Sequence, residues 1–155
     1  MSFDEYEINY RDYEERCNEI RKENENYLEE FIEDLRKAGL KEKTIGRHFQ
    51  NIHFYLNIYL LRQGLLDMSA GADSSYIEDF LGNFFIRKCM WSTPATIKSN
   101  GASMKKFYKS MFERGYIDKS DYNEVIGTIS FNMEFWIEDC EAYNDPNSPN
   151  PFSMF

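Results

Sequence analysis

Three lysines in the middle of the chain, Lys98, Lys105 and Lys109, recur at spacings of seven and four residues. Residues at these spacings lie along one side of an α-helix, and Lys106 stands beside them. Ammonium groups in such a row can neutralise phosphates of a nucleic-acid backbone. We expect three short side chains to donate hydrogen bonds at the same surface: Ser99, Asn100 and Ser103. The alternative is a row of solvated lysines, because the outer face of an amphipathic helix is usually charged.

A second basic group opens the segment predicted below as the third helix. Its members are Lys41, Lys43, Arg47 and His48, with Thr44 and Gln50 beside them. The sequence therefore offers two regions for contact with phosphates.

Charge is segregated along the chain, although the net charge is −9. Residues 1–35 carry −9, residues 36–119 carry +7 and residues 120–155 carry −7. One hypothesis is that the acidic arms are attracted to the basic middle and mask it; deleting residues 1–25 would then tighten DNA binding. The alternative is that acidic surfaces serve solubility alone.

No motif in the sequence supports catalysis or metal binding. Cys17, Cys89 and Cys140 are far apart and form no CxxC pair, whereas His48 and His53 are five residues apart and diverge on a helix. A Gly-rich phosphate loop and a recognisable nucleophile–base pair are both missing. The sequence thus predicts a protein that is not an enzyme and uses no cofactor or metal.

The same sequence favours a cytoplasmic location away from membranes. No apolar run approaches the roughly 18 residues that a membrane-spanning helix needs. The first 15 residues are acidic and polar, unlike a secretory or transit peptide.

Helical periodicity predicts an all-α fold, with no alternating strand pattern. Glycines at positions 39, 64 and 115 are expected to end helices. Ser75 with Glu78 predicts a capping box, and Ser92-Thr93-Pro94 predicts another helix start, with a hydroxyl N-cap and proline in the first turn. Predicted helices cover residues 4–23, 26–38, 41–63, a segment from 75, a segment from 92 to 115, and 119–143, with a loop at 66–74.

Both outer helices carry an apolar stripe at alternating spacings of three and four residues. The first stripe comprises Tyr6, Tyr10, Tyr13, Cys17 and Ile20, and the last comprises Tyr122, Ile126, Ile129, Met133, Trp136 and Cys140. We expect each helix to pack on the central bundle through its stripe.

A segment of about 90 of the 155 residues, Tyr27–Ile117, resembles a known family. YLEEFIEDLRKAGLKEKTIGRHFQNIHFYL is similar to the opening of the core-binding (SAM-like) domain of tyrosine recombinases and phage integrases. The residues that carry the likeness there are Phe31, Leu35, Gly39, Thr44 and Ile45. In the second half of the segment they are Ser92, Thr96, Ile97, Lys106, Phe107, Tyr108, Gly115 and Ile117.

The resemblance implies a SAM-like four-helix core-binding bundle with extra acidic helices at both ends. The implied organisation is an acidic helix at 1–25, the core-binding-like domain at 26–118, an acidic helix at 119–143 and a flexible tail at 144–155. It also implies that two helix regions press against duplex DNA. The candidate DNA-binding residues carried over are Lys43, Thr44, Arg47, Thr96, Lys98, Ser99, Lys105, Lys106 and Lys109.

The chain departs from that family in two respects. Lys41 replaces the usual Ser-type helix cap, and no Arg, His-x-x-Arg and nucleophilic Tyr set is recognisable. The resemblance therefore implies a non-catalytic DNA-binding accessory in a recombination context. The alternative is a protein–protein interaction module on the same scaffold, which would bind a partner through the aromatic stripes of the outer helices.

Overall fold

The computed structural model describes residues 2–146, except for the side chains of Tyr6 and Ile8. Every element in this part of the chain is helical, which confirms the all-α prediction. The helices are α1 (Phe3–Lys37), α2 (residues 42–63), α3 (residues 74–88), α4 (Pro94–Glu113) and α5 (Lys119–Asn144). Two compact units divide between Gly71 and Ala72, within the predicted loop. The part of the predicted tail beyond residue 146 lies outside the described residues.

α1 is one continuous helix, and the predicted interruption between residues 23 and 26 was wrong. No glycine or proline occurs there to end a helix. Asn24 instead donates a 2.7 Å hydrogen bond from Nδ2 to Asn57 Oδ1, which ties α1 to α2. The helix ends at Lys37 with Ala38 as its C-cap, and Gly39 just beyond takes the left-handed φ of 85°.

α2 changes its winding along its length. Glu42–His53 is α-helical, Phe54–Leu60 is π-helical, and Leu61–Gln63 is again α-helical. Tyr55, Leu56 and Tyr59 are completely buried, as expected for a central helix. The Tyr55 hydroxyl donates a 2.7 Å hydrogen bond to the carbonyl of Gly71. α2 therefore forms the centre of the unit that ends at Gly71.

α3 begins one residue earlier than its predicted cap, because Asp73 is the N-cap. Its Oδ1 accepts hydrogen bonds from the backbone nitrogen and the hydroxyl of Ser75, at 2.8 and 2.6 Å. The predicted Ser75–Glu78 capping box was wrong, since Ser75 serves as a donor to Asp73. Like α2, α3 contains a π-helical segment, Phe80–Phe84, between Ser74–Asp79 and Phe85–Lys88.

α4 and α5 pack against each other and complete the second unit. A reciprocal capping box between Thr93 and Thr96 opens α4, with Pro94 in its first turn as predicted. Gly115, at φ 82°, follows the end of α4. The predicted stripe of α5 faces inward, with Ile129, Trp136 and Cys140 buried.

Candidate nucleic-acid interface

The face of α4 opposite the core is exposed over its whole length. Ile97, Met104 and Met111 define the buried side. Residues on the other side recur at spacings of 3, 4, 4, 3 and 4. This surface, called the α4 stripe below, consists of Ala95, Lys98, Ala102, Lys106, Lys109 and Glu113.

The lysines of this face are not the three that their spacing alone singled out. Lys105 is half-buried, and its Nζ donates a 2.8 Å hydrogen bond to Ser130 Oγ on α5. Lys98, Lys106 and Lys109 are exposed. Lys109 Nζ lies 3.9 Å from Glu113 Oε1, with both side chains mainly in solvent, where such a pair contributes little. The row available to a ligand therefore runs through Lys98, Lys106 and Lys109.

Most of the short polar side chains of α4 are used within the helix. Asn100 is only 4% exposed and donates from Nδ2 to the Thr96 carbonyl at 2.8 Å. Ser103 is fully buried and its hydroxyl bonds the Ser99 carbonyl. The expectation that Asn100 and Ser103 serve as surface donors was therefore wrong. Both lie on the core side of the helix.

The other two hydroxyl candidates on α4 are half-buried. Thr96 Oγ1 accepts from the Thr93 backbone nitrogen at 2.7 Å, so the hydroxyl is engaged in the helix cap. Ser99 lies beside the α4 stripe rather than on it. Neither residue extends the row of exposed lysines.

In the first unit, Lys41, Lys43 and Arg47 are exposed at the beginning of α2, and Thr44 is half-buried. His48 is 4% exposed and its ring lies edge-on to Phe31, with centroids 6.5 Å apart. The expectation that His48 joins this basic group was wrong, because its position faces the core of α1 and α2.

The N-terminus of α2 has no side-chain cap. Lys41 occupies the N-cap position without a capping hydrogen bond, so the first-turn N–H groups remain suited to an anion. Glu42 beside it receives two hydrogen bonds from Arg36, at 2.9 and 3.1 Å. These bonds hold the pKa of Glu42 below its ordinary value. Lys41, Lys43 and Arg47 are thus exposed cations next to this helix end.

The described residues contain no group of three or more His, Cys, Asp or Glu side chains that could hold a metal ion. Cys17, Cys89 and Cys140 are buried and unpaired by disulfides. Burial raises the pKa of both Cys89 and Cys140, which disfavours the nucleophilic thiolate. None of the helices formed by residues 2–146 is long and apolar enough to span a membrane.

No family model matches the chain, and neither the curated proteins nor the solved structures contain a match to it.

Two features of the surface escaped the sequence reasoning. The first is that the exposed row runs through Lys106, which was a predicted candidate, rather than through Lys105. Counting outward from the buried residues Ile97, Met104 and Met111 would have shown this. The second is a pair of exposed phenylalanines on α5, Phe131 and Phe135. Their four-residue spacing, outside the predicted stripe of α5, was the available signal.

Proposed function

We propose that this chain is a non-catalytic DNA-binding accessory protein, built on a helical domain like the core-binding domain of tyrosine recombinases. It contacts duplex DNA through the α4 stripe. The observation that carries this proposal is the alignment of Lys98, Lys106 and Lys109 on one exposed helix face, with no carboxylate among the residues between them on that face.

The dimensions of the α4 stripe suit a duplex. Eleven residues separate Lys98 from Lys109, which corresponds to about 16 Å at 1.5 Å per residue. The major groove of B-DNA is about 12 Å wide. Lys98 and Lys109 can thus reach phosphates on both sides of a groove, while Ala95 and Ala102 allow the helix backbone to approach closely.

The beginning of α2 supplies a second contact in this proposal. Lys43 and Arg47 provide cations, and the uncapped helix end provides backbone donors of the kind that bind phosphate. Thr44 lies between them as a hydroxyl donor. In the family that the sequence resembles, these two helix regions are the ones that contact DNA.

Fluorescence anisotropy on a labelled duplex across a salt series tests the proposal. The variant Lys98→Gln/Lys106→Gln/Lys109→Gln removes the stripe cations. Lys22→Gln/Lys37→Gln/Lys119→Gln makes the same change in net charge at exposed positions elsewhere. Binding should weaken as salt rises, and the stripe variant should reduce the log–log slope by about 2.7, at 0.9 per phosphate contact.

Equal slopes for the two variants would contradict the assignment of the α4 stripe. No binding by the unmodified chain at low salt would contradict DNA binding altogether.

A further inference from the structure

The solvent face of α5 is apolar at its centre. Phe131 and Phe135 are 79% and 61% exposed, although each has enough apolar surface to favour burial. They lie one turn apart on the same side of the helix, away from buried Ile129 and Trp136. This surface, called the α5 face below, consists of Glu124, Gly127, Phe131, Phe135, Glu138 and Ala142.

The surroundings of the two phenylalanines are acidic. Glu124, Glu134 and Glu138 are exposed around them, and none of the ion pairs in the described part of the chain involves α5. α5 has six carboxylates and one cation, Lys119. A surface that covers the α5 face must therefore bring basic groups and a recess for aromatic rings.

The α4 stripe has these properties. Its exposed residues follow spacings of 3, 4, 4, 3 and 4, and the residues of the α5 face follow the same spacings. It carries three lysines, and the small side chains of Ala95 and Ala102 leave room for a ring.

We propose that the α5 face of one copy of this chain docks onto the α4 stripe of a second copy. Placed side by side in parallel, the two rows bring Phe131 against Ala102, Phe135 against Lys106, and Glu138 against Lys109. The first pair places a ring in a recess, the second places a cation near an aromatic ring, and the third is an ion pair. Antiparallel placement brings Glu113 against Glu124, so repulsion favours the parallel arrangement.

The contact joins an α5 face to an α4 stripe, not two like faces. Two α5 faces repel each other, because both are acidic. Within one copy, α4 and α5 pack through their inner sides and are joined by the Lys105–Ser130 hydrogen bond. A head-to-tail contact leaves one free α5 face and one free α4 stripe at the ends of each complex, so the assembly grows with concentration.

Self-association therefore covers the lysines that the proposed function assigns to DNA. Competition between self-association and DNA for these lysines rests on the proposed function, whereas the docking of two copies does not. If the chain does not bind DNA but does self-associate, the proposed function is wrong and the docking proposal still holds.

Sedimentation velocity over a concentration series tests the contact with two complementary variants. Phe131→Ser/Phe135→Ser removes the aromatic rings of the α5 face and leaves the α4 stripe unchanged. Lys106→Glu/Lys109→Glu removes two cations of the α4 stripe and leaves the α5 face unchanged. We expect the unmodified chain to associate, each variant alone to bind itself at least tenfold more weakly, and an equimolar mixture to form a dimer that grows no further. Phe3→Ser/Tyr10→Ser, at exposed aromatic positions of α1, should associate like the unmodified chain.

A chain that stays monomeric at all concentrations would overturn the proposal, as would a mixture of the two variants that fails to form the dimer. Circular dichroism melting checks that each variant is folded, which is expected because the changed side chains are exposed. A further outcome is that a monomeric chain binds an amphipathic Leu/Lys helical peptide in a manner that depends on Phe131. That result would also overturn the docking proposal, since the α5 face would then serve another basic partner.

Discussion

Lys105 Nζ donates a 2.8 Å hydrogen bond to Ser130 Oγ, which joins the side of α4 to α5. Its neighbour Lys106 is exposed on the α4 stripe. Successive residues of an α-helix differ in direction by about 100°. Two adjacent lysines thus have different roles: Lys105 connects two helices, and Lys106 is available to a ligand.

Single substitutions separate these roles. We expect Lys106→Ala to weaken DNA binding and to lower the salt slope by about 0.9, because one phosphate contact is lost. Lys105→Ala should change the slope by less. Anisotropy titrations at several salt concentrations measure both. A larger slope change for Lys105→Ala than for Lys106→Ala would reverse the assignment.

Gly82 of α3 approaches Trp136 of α5 too closely for a larger residue. A Cβ atom at position 82 would lie 2.5 Å from Trp136 Nε1 and 2.8 Å from Cδ1. We expect Gly82→Ala to lower the free energy of unfolding by about 1–3 kcal/mol through overpacking. The control is Gly127→Ala on exposed α5, where nothing lies within 4 Å of the new Cβ; it should stabilise by about 0.5–1 kcal/mol.

Urea unfolding monitored by circular dichroism gives both free energies. If Gly82→Ala stabilises the chain as much as Gly127→Ala, the close packing of Trp136 on α3 is incorrect.

Asp73 caps α3 in its ionised form. Hydrogen bonds from the side chain and backbone of Ser75 hold the pKa of Asp73 below its ordinary value. A carboxyl group with a lowered pKa in the folded state stabilises the fold above the unfolded-state pKa, near 3.9. That contribution is lost as the pH falls through the lower, folded-state pKa.

We therefore expect Asp73→Ala to cost about 1 kcal/mol at pH 7, and the difference from the unmodified chain to shrink below about pH 4. Thermal or urea unfolding at pH 7 and pH 3 measures it. A difference that is the same at both pH values would show that the ionised cap does not contribute.

The acidic surface of α1 should weaken DNA binding by repulsion. Deleting residues 1–25 is a poor test, because it removes Cys17 and Asn24 from the core of the first unit. Exposed Glu15, Glu19 and Glu23 can be changed to Gln instead. We expect this variant to bind duplex DNA more tightly at low salt and equally at high salt, because screening removes the repulsion. Equal affinity at low salt would contradict an electrostatic role for α1.

The all-α class and the ends of several helices could be predicted from the sequence. Gly39 and Gly115 mark helix ends because glycine readily adopts the positive φ found there. Pro94 marks a helix start because its φ is fixed and it has no backbone N–H. The prediction was wrong at Asn24, because a polar residue that does not interrupt the backbone hydrogen bonds of a helix is compatible with both a loop and a continuous helix. Its hydrogen bond to Asn57 involves another helix, so the local sequence cannot predict it.

The sequence by itself determined which sides of the helices are apolar, because burial of those sides stabilises any folded form of the chain. It did not determine whether Lys105, which borders the apolar side of α4, is available at the surface. Packing of α5 decides this by placing Ser130 within hydrogen-bond distance of Lys105. The same packing buries Trp136 and leaves Phe131 and Phe135 exposed, because one helix can present only one side to a given neighbour.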